Sequence, residues 1–325
     1  MQFMLSPDVP PLSRPLTYSD RILLIGSCFT EHISDRLAQH KFQVLQNPHG
    51  ILFNPLSVAQ SLNSYMDRQL YAADDLFLLN ELWNSWDHHT RFSHVNQEAA
   101  LMGINASQAA AASFIKQADV VIVTLGSAFQ YYLKENGRHV ANNHRAPAQW
   151  FEKRLLPIAE IVAALHDTIQ RLHEYNPHAQ VIFTISPVRH IRDGVTDNNR
   201  SKARLIEAVH DLCGRYDHVS YFPAYELIID VLRDYRYYDI DFVHPNYSAT
   251  SFVWEQFVKA CIAPDAHDLM KQVADIVTAR NHRTRFPDTQ AHSRFMSNYL
   301  EKTQALAAKY PVLDLREEAA YFSGF

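Results

Sequence analysis

An α/β fold built on a doubly wound parallel sheet is predicted by three features of the sequence. A short, uninterrupted apolar run at Ile22–Ile25 is followed by two largely apolar ones at Val120–Leu125 and Val181–Ile185. Runs of that length suit strands covered on both faces. Between them lie segments with helical spacing, the most regular being Ile158, Ile161, Val162, Leu165, Ile169 and Leu172, which stops at Asn176-Pro177. Alternation of the two patterns is the signature of strand–helix–strand crossovers.

In chain order, Ile22–Ile25 reads as the first strand, and Phe29, Ile33 and Leu37 give the helix behind it one apolar face. Phe42–Leu45 reads as a second strand. Residues 55–70 open on Pro55, a good first helical residue, and residues 97–117 are alanine-rich and helical. Val120–Leu125 and Val181–Ile185 follow as strands, with the helix at 158–172 between them. A helix over 197–215, a fifth strand at Val219–Phe222, a helix over about 224–234 and a last helix carrying Phe252, Val253, Phe257, Val258 and Ile262 complete a five-stranded parallel sheet and its covers. Two segments break the alternation. Residues 71–96 read as a hairpin with a histidine-bearing loop inserted after the second strand. Residues 263–325 read as a helical extension that packs on the domain or on a second subunit. The chain therefore divides into 1–262 and 263–325.

Chemistry is concentrated at two places. Ser27 follows Gly26 at the carboxyl end of the first strand, against the first turn of a helix, the edge where open α/β sheets bind ligands. A serine there is either a nucleophile beside amides that hold an oxyanion, or only a helix cap. The second place is Asp241-Phe-Val-His244-Pro245, where one turn of chain can bring a carboxylate to an imidazole and leave the other ring nitrogen to take a proton. Cys28, next to Ser27, is expected to point away from the cleft and be buried.

These stretches resemble the GSCFA family, a branch of the SGNH (GDSL-like) hydrolases. The resemblance is carried by Gly26-Ser27-Cys28-Phe29, Asn47-Pro-His-Gly50-Ile-Leu-Phe-Asn54-Pro55, Trp83 to Ser93, Thr124-Leu125-Gly126, Ser186-Pro187-Val188-Arg189-His190 and Asp241-Phe-Val-His244-Pro245. It spans roughly residues 20 to 262. It implies a three-layer α/β/α sandwich on a flavodoxin-like sheet, with Ser27 as nucleophile and Asp241 and His244 completing a triad. It leaves the substrate open. In the SGNH pattern the oxyanion is held by the nucleophile's amide, a glycine amide and an asparagine of a Gly-x-Asn motif. Here Gly50 stands for the glycine, but the third block reads Gly126-Ser127-Ala128. Either the Ser27 and Gly50 amides suffice, or Asn54, His89, Ser127 or Asn143 supplies the third donor.

The remaining features narrow the class. A formal charge of −5 and the absence of a basic block argue against nucleic acid and anionic membrane as partners. Three cysteines, none in a C-x-x-C spacing, suit reduced thiols and a cytoplasmic setting, and Met1–Ser13 does not read as a signal peptide. Trp86-Asp87-His88-His89 with His94 lacks the spacing of a metal motif, so these side chains are expected to shape a pocket or pack. Arg189 is expected to meet substrate or a structural acid. The expected activity is hydrolysis of a small acyl ester, acetyl above all, possibly on a carbohydrate, with no cofactor or metal. The alternatives are an acyltransferase using the same triad and a non-catalytic module that keeps the fold. A homo-oligomer joined through the extension is a further expectation.

Overall fold

The computed structural model describes residues 5–324. The chain runs through β1 (Arg21–Gly26), α1 (Cys28–Gln39), β2 (Gln43–Gln46), α2 (Pro55–Asp67), a hairpin of β3 (Leu76–Leu79) and β4 (Leu82–Ser85), α3 (Gln97–Ile115) and β5 (Val120–Leu125). A small antiparallel sheet of β6 (Phe129–Leu133), β7 (His139–Val140) and β8 (Phe151–Leu155) follows. Then come α4 (Ile158–Tyr175), β9 (Gln180–Ile185), α5 (Val195–Arg215), β10 (Val219–Phe222), α6 (Ala224–Glu226), which runs on as a π-helical turn, and α7 (Tyr247–Cys261). α8 (His267–Asn281), α9 (Gln290–Lys309) and α10 (Arg316–Ser323) end the described chain.

Five parallel strands form the central sheet in the order β2-β1-β5-β9-β10. The winding reverses between β1 and β5, and that reversal opens a crevice at their carboxyl ends. Strand alternation divides the core. Ile22 and Leu24 face α1, α7 and the C-terminal helices, whereas Leu23 and Ile25 face α2, α4 and α5. The expected five-stranded, helix-covered parallel sheet is thus the observed one.

The hairpin reverses at Asn80-Glu81, whose φ values of 50° and 63° match a two-residue turn that follows the right-handed strand twist. The sheet of β6, β7 and β8 has no counterpart among the sequence expectations. Its strands are short and one carries Glu152, Lys153 and Arg154, so neither a buried run nor a clean alternation marks it.

The C-terminal helices cover the sheet face that α1 and α7 leave open. Leu269, Met270, Val273 and Ile276 of α8, Leu306 of α9 and Phe322 of α10 share one apolar core with α1 and α7. Of the two expected placements, the extension takes the one on its own domain. A fully buried Glu318 of α10 locks it there, paired with Lys41 at 2.7 Å and Arg280 at 3.0 Å. Among the described residues no helix is long and apolar enough to cross a membrane.

Two stability outcomes follow from this packing. At Gly26, φ is +143° and an added Cβ would lie 2.2 Å from the Thr124 carbonyl oxygen. Strain and overpacking together should make Gly26→Ala cost about 2–5 kcal/mol, read as a lowered denaturant midpoint; an unchanged midpoint would show that β1 and β5 can separate there. Glu318→Ala takes the acid from half-buried Lys41, while Arg280 keeps Glu317 at 2.8 Å, and should cost roughly 3 kcal/mol. Asp314→Ala, which breaks an exposed pair with Arg316 at 2.6 Å, should shift the midpoint little. Equal effects of the two would refute the buried lock.

Candidate active site at the carboxyl edge of β1 and β5

The turn after β1 is held on every side. Ser27 N–H donates to Thr124 O at 3.0 Å, extending the β1–β5 ladder one residue past the strand. Asn47 Oδ1 accepts from Gly26 N–H at 2.9 Å, and Leu52 N–H donates to Gly26 O at 2.9 Å. Phe53 O accepts from both Gly126 and Ser127 N–H. These bonds gather the Asn47–Pro55 and Thr124–Gly126 blocks around the end of β1.

Within that turn Ser27 is more buried than expected, and Cys28 packs against the apolar core but is not fully covered. Ser27 is 1% exposed, its oxygen accepts from Phe29 N–H at 3.3 Å as the N-cap of α1, and a Cβ at Gly126 would touch the Ser27 Cβ at 3.3 Å. Cys28, expected to be buried, is partly exposed as the first residue of α1. Burial and Glu31 push its thiol upward, against the opposing effects of its own N–H, the Lys202 ammonium and Phe29 N–H.

Asp241 and His244 make the predicted pair. Asp241 Oδ1 accepts from Val243 N–H at 2.9 Å and His244 N–H at 3.0 Å. Its Oδ2 lies 2.6 Å from His244 Nδ1. The His244 side-chain bond, followed by the two amides, holds the Asp241 carboxyl down at about 2. An ionised carboxylate only accepts, so Nδ1 carries the proton and Nε2 is left with its lone pair. The segment is kept in place by Arg189 N–H, which donates to Val243 O at 3.2 Å, and by the Arg189 guanidinium over the Tyr238 ring at 4.4 Å. Arg189 thus meets aromatic rings of this segment.

The expected oxyanion donors need correction. The Ser27 amide is spent on Thr124 O, and the Gly50 amide closes a turn onto Asn47 O at 2.7 Å. Ala128 is fully buried with its N–H on Ser201 Oγ, so no asparagine could reach the site from that position. Asn54 caps α2 through Ser57 N–H, and Ser127 Oγ lies 3.3 Å from Ser201 Oγ and accepts from Phe129 N–H. Asn143 lies on the loop where His144 Nε2 is 2.7 Å from Ser85 O, beside the hairpin. His89 crosses the Asn47–Gly50 loop, where a Cβ at Gly50 would meet its Cβ at 2.2 Å, and its Nδ1 accepts from Arg91 N–H at 3.3 Å.

The insert's other rings pack. Trp86 stacks on Phe77 at 3.7 Å, and His88 lies 4.1 Å from the His49 ring with its Nδ1 2.8 Å from Ser85 Oγ. Among the described residues no three His, Cys, Asp or Glu side chains gather as a metal cage. A separate cleft of about 650 Å³, lined by Phe77, Trp86, Arg138 and Trp150, contains none of the candidate site residues.

Lys202 was missed by sequence reasoning. It is 1% exposed and donates to Gly126 O and Ser186 O, each at 2.6 Å. The signal was present, because Asn198, Ser201, Lys202, Leu205 and Val209 form one buried stripe of α5. Burial pulls Lys202 down to about 7. From pH 7 towards the ordinary lysine range the unfolded chain holds a proton that the folded one has released, so this group's penalty shrinks as pH rises. The stability difference between Lys202→Met and wild type should therefore move in favour of wild type between pH 6.5 and 9.5. A difference independent of pH, measured by denaturant unfolding, would show an ordinary lysine.

Three solved structures resemble this one weakly. An acetyl xylan esterase (Est2A) from the rumen bacterium Butyrivibrio proteoclasticus is 13% identical with a TM-score of 0.36, over 75% of this chain and 64% of that one. A Clostridium thermocellum family 3 carbohydrate esterase is 11% identical with a TM-score of 0.37, over 78% and 98%. A third structure is described as a carbohydrate esterase whose active site displays divergent catalytic and non-catalytic binding functions. It is 14% identical with a TM-score of 0.34, over 77% and 66%. The chain thus spans just under two thirds of the Est2A structure. No curated protein matches it. Family models give a firmer result: the GSCFA family matches residues 21–257, and the model of the GSCFA domain protein's C-terminal domain matches residues 273–324. The ordered blocks that converge on the end of β1 thus have a family to which they belong, and this chain is a member of the GSCFA family.

Proposed function

We propose that the protein is an acyl-ester hydrolase whose nucleophile comes from the Ser27-Cys28 turn and whose general base is His244. The observation that carries this reading is the Asp241–His244 pair, 2.6 Å apart with both backbone amides of the turn on the second carboxylate oxygen. Such a carboxylate fixes the tautomer and stabilises the imidazolium formed when Nε2 takes the nucleophile's proton. The imidazolium then returns the proton to the leaving alcohol, and the same nitrogen activates water for deacylation. The Phe29 and Thr30 amides are taken by Ser27 Oγ and Ser27 O, so the Cys28 amide at the start of α1 is the one that meets developing negative charge, with the positive end of the helix dipole.

An acylated sugar is the substrate class that the surroundings favour. Tyr235, Phe242 and Tyr247 are 62, 56 and 80% exposed beside the pair, which gives apolar sugar faces aromatic rings to lie on. The pair itself is open, with side chains 45% and 48% exposed. That openness to water supports hydrolysis over transfer to a second sugar.

Turnover of p-nitrophenyl acetate tests the reading. His244→Ala should lose about 10⁴-fold or more, and Asp241→Asn about 10⁴-fold through the wrong tautomer. Both variants should unfold like wild type, because both side chains lie at the surface. Full activity in His244→Ala would sink the proposal. Adding xylose or another acceptor sugar should leave free acetate as the product; acetylated acceptor would identify a transferase.

A further inference from the structure

We propose that the His190 ring is an oxyanion donor of the site, its Nε2–H doing what an asparagine does in the SGNH pattern. The inference rests on the acyl-ester reading above, with the Ser27 hydroxyl as the attacking group. It names the side chain that holds the charge formed by that attack.

The turn after β1 is short of donors. The Ser27 and Gly50 amides are bonded to Thr124 O and Asn47 O, and the Phe29 and Thr30 amides to Ser27 Oγ and Ser27 O. Ala128 is buried with its N–H on Ser201 Oγ. Of these amides the Cys28 N–H remains, and a tetrahedral oxyanion with a single donor lacks much of the stabilisation that serine chemistry uses.

His190 borders a gap that also borders Ser27. Gly126 has no side chain, and a Cβ built there would lie 3.3 Å from Ser27 Cβ, 3.4 Å from His190 Nε2 and 3.5 Å from Phe53 O. The bare glycine thus leaves a methyl-sized space shared by the serine and a ring nitrogen. An oxygen atom fits such a space close to hydrogen-bond distance from Nε2. Phe53 O does not compete for the ring, since it already accepts from Gly126 N–H at 2.8 Å and Ser127 N–H at 2.9 Å.

The ring is anchored at this gap. His190 N–H donates to Asn198 Oδ1 of α5 at 2.8 Å, and the ring stands edge-on to Phe53 at 5.7 Å. The preceding residue, Arg189, donates its N–H to Val243 O at 3.2 Å, inside the Asp241–His244 turn. The loop after β9 therefore meets the turn of the base with one residue and the gap beside Ser27 with the next.

This ring is suited to donate, and His244 to exchange protons. Burial, ahead of the Lys202 charge, draws His190 down to about 4, so the imidazole is neutral and carries one N–H. Asp193 of its own turn is paired with Lys153, whereas Asp241 lies on His244 Nδ1. Among the described residues neither nitrogen of the His190 ring has a hydrogen-bond partner, so no acceptor holds the proton on Nδ1. A neutral imidazole fixed in a largely dry site is a preorganised donor to a developing oxyanion.

The step balances without a co-reactant other than water. Ser27 Oγ bonds to the ester carbonyl carbon as its proton passes to His244 Nε2. The carbonyl π pair moves onto oxygen, which accepts from His190 Nε2–H and Cys28 N–H. The pair then returns, the C–O bond to the alcohol breaks, and the alcohol leaves with the His244 proton. Water repeats the sequence on the acyl-serine and releases the acid. His190 keeps its proton throughout.

The test measures kcat and KM on p-nitrophenyl acetate for His190→Ala, His190→Gln, Gly126→Ala and His244→Ala, with denaturant midpoints. His190→Ala should lose about 10²- to 10³-fold in kcat and leave KM within about threefold, as a donor used only in the transition state does. Glutamine keeps an N–H where Nε2 stood and cannot act as a base, so His190→Gln should regain about tenfold or more of that loss. Gly126→Ala fills the gap with a methyl group and should lose as much as His190→Ala, while the double variant should lose little more. A fluorophosphonate, which develops negative charge on a phosphoryl oxygen as it bonds Ser27, should label Ser27 more slowly in His190→Ala and faster again in His190→Gln, read by mass spectrometry. Wild-type kcat in His190→Ala or Gly126→Ala overturns the inference. So does a glutamine variant no better than alanine, which marks the ring as a base or as packing. If His244→Ala is inactive in either case, the esterase reading survives with another donor. If His244→Ala is fully active, both fall together.

Discussion

One hydrogen bond, from Ser27 N–H to Thr124 O, sets the geometry of the whole candidate site. It carries the β1–β5 ladder one residue beyond the strand, so the backbone cannot turn into α1 until that residue is passed. Gly26 makes this possible, since any side chain there would collide with the Thr124 carbonyl. With Ser27 held by the sheet, its side chain is buried as the cap of α1, and Cys28 opens the helix partly buried against the apolar core. The Ser27 amide is thereby spent on the sheet. Assignment of both nucleophile and oxyanion donor therefore turns on a single residue of register.

Loops from distant parts of the chain depend on that turn. Asn47 bonds the Gly26 amide through its side chain and the Leu24 carbonyl through its backbone, at a φ of 42° that asparagine tolerates. Gly50 is bare where His89 crosses it, and His49 O accepts the His89 amide at 2.8 Å. The histidine-rich hairpin is thus a brace for the Asn47–Gly50 loop, with most of its rings spent on stacking. On the other side, α1 meets α7 through Arg36, which donates to Ser251 Oγ at 2.6 Å and lies over the Tyr247 ring at 5.5 Å, three residues after His244. Each block was visible as a motif because each contains a residue without an easy substitute: a glycine at a close approach, an asparagine at positive φ, or a cap.

The central sheet was legible because five apolar runs and their helices obey two clear periods, 2 and 3.6. The Asp241–His244 pair was legible because its bond is local, three residues apart. Features built from long-range register were not. Nothing in Gly-Ser-Cys-Phe tells whether the ladder stops at Gly26 or at Ser27, yet that decides which side chain is exposed. The oxyanion assignment failed for the same reason, since the Thr124 and Asn47 carbonyls that take the two amides come from other segments. The sheet of β6, β7 and β8 escaped because its residues face partly to solvent and carry charges. Lys202 was readable in principle as a lysine on an apolar stripe, but its acceptors, Gly126 O and Ser186 O, appear only once β5 and β9 lie side by side.

Those acceptors explain why a cation belongs at such a costly position. Parallel strands end with carbonyl groups directed out of the sheet, and where the ends are covered by α5 water cannot satisfy them. An apolar side chain at 202 would leave two buried oxygens unpaired, and a hydroxyl is too short to bridge the ends of β5 and β9. Lysine reaches both, and its desolvation is offset in part by the two bonds. The result is a buried amine, drawn down to about 7 by burial and bonded to two strand-end carbonyls.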